Sequence, residues 1–412
     1  MITNIEIDGF KSLENVTLEI KPITILIGLN SSGKSSILQL LAILKQSLKN
    51  HILIGNGTLA NFGAFNEIVS KRLQKKEIKI LIGGIRTQNL DAPFSGNTEY
   101  GYSFTATAEG IKSHSVTIKS GKIVVDATAK IDSSNRIQPA VHFNNNKSEI
   151  IFNQEFNLGY PLSQHSVTGP DINYASLHRF LEVIAKDLMD FRLVPTMRGI
   201  SCPTYPLESN ASEDLVDSSN LYSQTRKFCS TVVYGSPRIE RKINKWLNKI
   251  TGVTIRGRAV PDKQGSIEAY RKYEINLVNE GFGTNQLVHM FAQIAKSPAN
   301  SIIGIEEPEV HLHPKAQSEL AKVLIEISKE DRKNLVLTTH SEHILYRILI
   351  EVAKGTLSLE DLAIYHFKLS KDGVTQVERL KPDEKGRLKG GIPDFLETDL
   401  DEFKDFLDII KG

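Results

Sequence analysis

An α/β fold interrupted by a β-rich and helical insertion is what this 412-residue sequence predicts, and three observations predict it. An apolar run, Ile23 to Ile27, leads through a Gly/Ser loop into a helical pattern. From about 78 to 158 the chain breaks into short alternating stretches separated by Gly, Asn and Ser turns. Past 276 it returns to buried strands alternating with helices. These changes divide the chain into a first part of the α/β unit (1–75), the insertion (76–275), a second part (276–350) and a short C-terminal extension (351–412).

The elements follow from the periods. Ile5, Ile7 and Phe10 alternate as a strand, the chain turns at Asn15, and Val16, Leu18 and Ile20 alternate again. Pro22 and Gly28 bound the apolar run between them, as expected of a buried strand. From Lys34, residues Ile37, Leu38, Leu41, Leu44 and Leu48 recur at three- and four-residue steps and make a helix. In the insertion, Tyr100 to Thr107, Ser115 to Ile118 and Lys122 to Ala127 read as strands of a meander. A helix at 175–190, a Ser- and Asn-rich polar region at 209–223 that reads as a mobile loop, and a basic helix at 237–250 come next. Two strands (253–260 and 267–278) precede a helix from Asn285, a buried strand from Ser301 to Ile305, a helix from Pro314 to Ile327 and a buried strand from Leu335 to Thr338. The tail carries two short strands from Leu362 and a final acidic helix at 400–410. No heptad pattern is sustained, which argues against a long coiled-coil arm.

Composition excludes several classes. With 50 Lys+Arg against 48 Asp+Glu the net charge is +2, so this is no nucleic-acid coat protein, and any DNA or RNA contact must be local. Cys202 and Cys229 form no metal-ligand spacing and suit a reducing cytosol. The N-terminus lacks a signal-peptide pattern and no stretch reaches the roughly 18 apolar residues of a membrane span, so a cytoplasmic protein without membrane contact is expected.

Gly28-Leu29-Asn30-Ser31-Ser32-Gly33-Lys34-Ser35 fits G-x-x-x-x-G-K-[ST], and the strand before it and helix after it supply the context the pattern requires. The alternative, a Gly/Ser turn that happens to match, has no need of that context. The glycines let backbone N–H groups face the phosphates, and the helix N-terminus adds its dipole, so Gly28 to Ser36 form a phosphate cradle. Lys34 is expected to reach the β- and γ-phosphates of ATP, and Ser35 to ligate Mg²⁺.

An apolar strand ends in Glu306-Glu307-Pro308-Glu309, and a buried strand delivers its last side chains to the sheet edge where the phosphate loop lies. Glu306 is expected to hold the Mg²⁺ shell directly or through water, although Asp is the usual residue there; Glu307 is expected to position and deprotonate the attacking water. A third strand ends in Thr338-Thr339-His340-Ser341, which places His340 to contact the γ-phosphate or that water. Taken alone, such a His is more often structural; the two preceding motifs reverse that reading. His311-Leu312-His313 lacks further ligands at metal spacing and reads as a turn along a dimer interface.

Together with Ile7-Asp8-Gly9-Phe10-Lys11-Ser12-Leu13, these motifs resemble the AAA-labelled ATPases of the OLD, RecF and SMC-like branch of the ABC superfamily, over about the first 70 and last 140 residues. The resemblance implies an ABC-type P-loop head with a mixed sheet, and ATP held between two heads of a homodimer or higher homo-oligomer. A signature motif from one head would cap the γ-phosphate of the other. Its best counterpart here is Asn279 to Gln286, with Gly281 and Gly283 at a helix start; no Ser stands beside the glycines, so Thr284 or Asn285 would make the side-chain contact. Lys11 matches a basic residue, and Asn30 a loop side chain, that reach the γ-phosphate in related heads. The glutamine that usually contacts Mg²⁺ has no clear position, with Gln39 and Gln46 on the first helix. Leu193 to Gly199, which carries Arg198, resembles a strand-and-loop element of these ATPases, and Arg198 has no assigned role.

Gly391 to Phe395 and the acids after it look like the tail of ATPases from bacterial defence loci, such as relatives of the Septu ATPase. This favours a sensor or regulatory ATPase of an anti-phage system that controls a separate nuclease or toxin, docked on the insertion. A RecF-like DNA-repair ATPase is the alternative, and a transporter subunit is disfavoured by the missing Ser-Gly-Gly-Gln signature. Arg238, Arg241, Lys242, Lys245 and Lys249 on the basic helix could touch nucleic acid, but an ordinary solvated face is the preferred reading. Glu397, Asp399, Asp401 and Glu402 read as carboxylates facing a helix N-terminus rather than a nuclease centre.

Overall fold

Apolar runs and alternating runs end up in different sheets, as their periods require. The computed structural model describes residues 1–48, 50, 52–71, 74–86, 97–120, 123–131, 137–143, 146–150, 167–168, 185–207, 237–389 and 391. An antiparallel sheet begins with β1 (Ile2–Asp8) and β2 (Val16–Glu19). It continues from β1 through β4 (Glu77–Arg86), β5 (Thr98–Thr107), β6 (Gly110–Ser120), β7 (Ile123–Ile131), β8 (Ile137–Phe143), β9 (Asn146–Ile150) and β10 (Val167–Thr168). The central sheet has the order β11 (Arg192–Val194), β16 (Ile302–Glu306), β17 (Asn334–Thr338), β3 (Ile23–Gly28), β18 (Leu362–Leu369) and β19 (Thr375–Leu380). Its first five strands are parallel and β19 is antiparallel, so the sheet is mixed, as expected.

Every residue of β3 and β17 is buried because the sheet is covered on both faces. Leu26, Ile302 and Val336 share one core with α1 (Lys34–Ser47) and the antiparallel sheet. Ile25, Ile303 and Leu337 share another with four helices: α3 (Pro237–Thr251), α4 (Phe282–Lys296), α5 (Pro314–Glu330) and α6 (Glu342–Ala353). A short helix, α2 (Phe65–Ile68), leads into the antiparallel sheet. In the smallest sheet β14 (Gln264–Tyr270) pairs with β12 (Tyr205–Pro206), β13 (Thr254–Val260) and β15 (Glu274–Asn276).

The structure departs from the sequence reading in several places. The strands expected in the insertion continue the N-terminal hairpin: β4 pairs directly with β1, with Ile82 opposite Ile5, so both belong to one sheet. The segment expected as an extension instead gives β18 and β19 to the central sheet. The strand expected at 267–278 breaks into β14, β15 and a 3₁₀ turn at Leu277–Asn279. α4 starts at Phe282 rather than Asn285, with Gly281 at its cap. α3 buries Ile243, Trp246 and Leu247, and three lysines of its basic face reach carboxylates at the end of α5: Lys245 contacts Glu326 and Glu330 at 2.6 Å each, Lys242 pairs with Asp331, and Lys249 with Glu326. The face is nonetheless solvated, as expected: Arg238, Arg241, Lys245 and Lys249 are exposed, and the pairs made by Lys242, Lys245 and Lys249 lie at the surface. The helix expected at 175–190 is described only from 185, where the chain is helical. The polar region at 209–223, Ile392 to Phe395 and the tail acids lie outside the described residues. No helix among the described residues is long and apolar enough to cross a membrane.

One buried group on α4 makes stability depend on pH. His289 is fully buried, and burial, reinforced by the nearby Arg198 cation, lowers its pKa from 6.5 to about 3. The unfolded chain therefore binds the extra proton below pH 6.5 while the folded one stays neutral, so stability falls as pH falls through that window. The expected slope is about 1.4 kcal/mol per pH unit, or about 2 kcal/mol between pH 6.5 and 5. Urea unfolding at both pH values measures it, and His289→Gln should remove this part of the difference; an unchanged slope would refute the assignment.

Candidate active site

The phosphate loop is shaped by strands far away in the chain. Gly28, at the end of β3, has φ 139°, and a Cβ there would lie 2.1 Å from the Phe367 carbonyl on β18, so only glycine fits. Gly33 caps α1 with φ 102°, and a Cβ there would meet Thr375 Oγ1 at 2.5 Å. That hydroxyl, at the start of β19, lies 2.9 Å from the Ser32 carbonyl and 2.8 Å from Ser12 Oγ. Thr375 thus braces the loop from behind, a role with no signal in the sequence.

Lys34 is buried and folded back on its own loop, its Nζ donating to the carbonyls of Gly28 and Leu29 at 2.7 Å each. Burial lowers its pKa to about 8, against the opposing pull of Glu307 and Glu309. A cleft of about 470 Å³ opens above the loop, and its lining includes Lys11, Ser12, Asn30 to Ser36, Glu307 and His340. Lys11 Nζ donates to Gln39 Oε1 at 2.5 Å, and burial lowers its pKa while Glu306 opposes the shift. Gln46 instead ties down the 54–60 loop through Ile54, Leu59 and Ala60.

The acids stand at the end of β16, whose register sets Glu306 beside Thr338. Burial pushes the Glu306 pKa up, and hydrogen bonds from the Thr196 backbone and the Ser35 side chain pull against it. A hydroxyl and a buried carboxylate in contact are hard oxygen donors, and a divalent cation there would offset the cost of burying the charge; the pair fits Mg²⁺. Glu307 has φ 43°, donates its N–H to the Thr338 carbonyl at 2.9 Å, and puts its carboxylate 3.8 Å from His340 Nε2. Burial, with the Lys34 cation nearby, lowers the His340 pKa against the pull of Glu307, which favours the neutral imidazole. Glu309 accepts from Thr339 Oγ1 at 2.7 Å and from the His340 N–H at 2.8 Å, which fixes the His340 backbone. The sequence reading gave Glu309 no part.

The counterpart of the signature motif lies elsewhere. None of Gly281, Gly283, Thr284 and Asn285 lines the cleft of this chain. Asn285 is 1% exposed and its amide is occupied inside the chain, accepting from Ile200 N at 2.6 Å and donating to Ile200 O at 2.9 Å. Its expected contact with nucleotide is corrected accordingly: the side chain is a staple for the segment after Arg198. Gly283 packs on the His311 carbonyl, 2.5 Å from where a Cβ would stand, and Phe282 meets the His311 ring edge-on at 4.8 Å. His313 Nδ1 accepts from Lys315 N at 3.3 Å and caps α5. Arg198 donates to the carbonyls of both Glu306 and Glu307.

A family model described as AAA ATPase domain matches residues 1–345. No curated protein matches significantly. Among solved structures the chain is similar to an SMC head bound to the C-winged helix domain of ScpA, with a TM-score of 0.47 and 16% identity, covering 92% of this chain and 98% of that one. The SMC head domain from Thermotoga maritima gives 0.41 and 13%, with the same coverage. An Smc head with an extended coiled coil, bound to the C-terminal domain of ScpA derived from Pyrococcus furiosus, gives 0.47 and 14% over 100% of this chain and 99% of that one. At identities this low such a likeness says nothing of partner or substrate.

Proposed function

The chain belongs to the AAA ATPase domain family, and on that premise we propose that it hydrolyses ATP to ADP and phosphate, in a homodimer or higher homo-oligomer whose heads close around Mg²⁺-ATP. The observation that carries the reading is the convergence of Lys34, Glu307 and His340 on one cleft above a phosphate loop. Lys34 leaves the Gly28 and Leu29 carbonyls for the β- and γ-phosphates. Glu307 takes the proton of the attacking water, and the neutral His340 holds that water or the γ-phosphate. Ser35 and Glu306 would hold Mg²⁺, which supplies charge neutralisation at the phosphates. Lys11, Asn30, Ser31, Ser32, Gly33 and Ser36 complete the nucleotide contacts from the cleft wall.

The biological role we propose is a sensor ATPase of an anti-phage system that controls a separate effector. It is supported by the resemblance of Gly391 to Phe395, and of the acids after it, to the tail of defence ATPases. The DNA-repair alternative draws less support, because the chain as a whole is nearly neutral, with a net charge of +2, and three lysines of its basic helix already pair with surface carboxylates. Incubating the purified chain with ATP and Mg²⁺ or Mn²⁺, in the presence of plasmid, phage DNA and tRNA, should release phosphate and leave every nucleic acid intact. Absence of phosphate release refutes the ATPase reading. Cleavage that survives rigorous purification refutes the separate effector.

A further inference from the structure

Arg198 is 2% exposed, and its guanidinium makes an unusual set of bonds. Nη1 donates to Pro195 O at 2.8 Å and Glu306 O at 2.9 Å, and Nη2 donates to Glu307 O at 3.0 Å. Burying an ionised group without a directly bonded carboxylate is costly, so the arrangement calls for a reason beyond packing. Glu307 supplies one. Its left-handed backbone is unfavourable for a residue with a side chain, by about 1–3 kcal/mol, and persists only where the surroundings hold it. Its N–H is held by the Thr338 carbonyl, and its C=O, which also accepts from the Val310 N–H at 3.2 Å, is tied together with that of Glu306 before it by one rigid fork.

We infer that Arg198 is a positioning residue for hydrolysis, holding the Glu307 main chain so that its carboxylate faces His340 and the cleft. The inference rests on the assignment of Glu307 as base. Without the fork, the Pro195, Glu306 and Glu307 carbonyls each lose a donor, the last keeping only the Val310 N–H at 3.2 Å, and Glu307 can relax toward ordinary φ, which swings the carboxylate off the water; a misplacement near 1 Å costs about 10²-fold. A lysine replaces it poorly, because its ammonium sits on a flexible stem and lacks the fixed, coplanar N–H directions of the guanidinium. The fork is itself fixed from α4: Gly199, at φ 121°, allows the close approach of Asn285, whose amide holds both main-chain groups of Ile200.

The test is a double-mutant cycle of Arg198→Lys with Glu307→Gln, read as kcat and KM for ATP. Arg198→Lys should lower kcat by about 10- to 100-fold and change KM by less than about threefold. In the Glu307→Gln background it should lower kcat no further, because the group it aims is gone. A merely structural role would raise KM and multiply with the second substitution; either result, or an unchanged kcat, overturns the inference. If Glu307→Gln alone keeps full turnover, the assignment of the base has failed, a different outcome. Should Arg198→Lys not fold, Asn285→Ser frees the far end of the segment and must give a loss of about fivefold or more in kcat that vanishes in the Glu307→Gln background. A loss that persists there, or none at all, also overturns it.

Discussion

Lys34→Ala should leave the chain unable to bind ATP productively, with turnover at background. The lysine is buried against the loop carbonyls, beside the cleft that it lines, and a phosphate entering that cleft would draw its ammonium off them. Its ammonium is the principal side-chain charge facing them, in a site where burial strengthens electrostatic interactions. Losing it should weaken binding by about 10²-fold or more, since a charge-assisted contact to phosphate is lost and nothing replaces it. Titration with a fluorescent ATP analogue, paired with a phosphate-release assay, measures both effects. Retained turnover would end the assignment of the loop.

Glu307→Gln should separate binding from chemistry. The amide keeps the shape of the side chain, and leaves the Thr338 and Arg198 bonds intact because both are to the main chain. Only the proton acceptor is lost. Hydrolysis is expected to fall by about 10²-fold or more while ATP affinity stays near that of the parent. If heads close around nucleotide, ATP should then accumulate the closed form, seen as a rise in mass by light scattering. A mass that does not respond to ATP would count against the paired heads, unless the protein is a constitutive oligomer that light scattering already shows without ATP.

The parts of the site that were legible in the sequence are those written locally. The change of period at Gly28 to Lys34 placed strand, loop and helix, and acids at the end of an apolar strand placed Glu306 and Glu307 at the sheet edge. What escaped depends on pairing between distant segments. Arg198 acts on carbonyls 108 and 109 residues away, and Thr375 reaches Ser32 across 343 residues. No spacing rule encodes such contacts. The Gly199 that follows Arg198 was the one local sign of a close approach. The two short strands after Leu362 were legible as strands but not as members of the central sheet, since they look the same in sequence whether they hang free or join it.

The neighbours of β3 have a consequence for how the protein is made. Ile23 pairs with Leu335 on one side and with Leu362 on the other, so the strand leading into the phosphate loop waits, during translation, for segments synthesised more than 300 residues later. Until β18 has left the ribosome, β3 keeps an open apolar edge, the kind of surface that chaperones shield and that aggregates when they do not. Contacts of such long range also slow folding. The Phe367 and Thr375 groups packed against Gly28 and Gly33 arrive with the same late segment. A nascent chain halted before it would hold every residue of the Gly28 to Ser36 motif and still lack a formed nucleotide cradle, so nucleotide binding becomes a property of the finished chain alone.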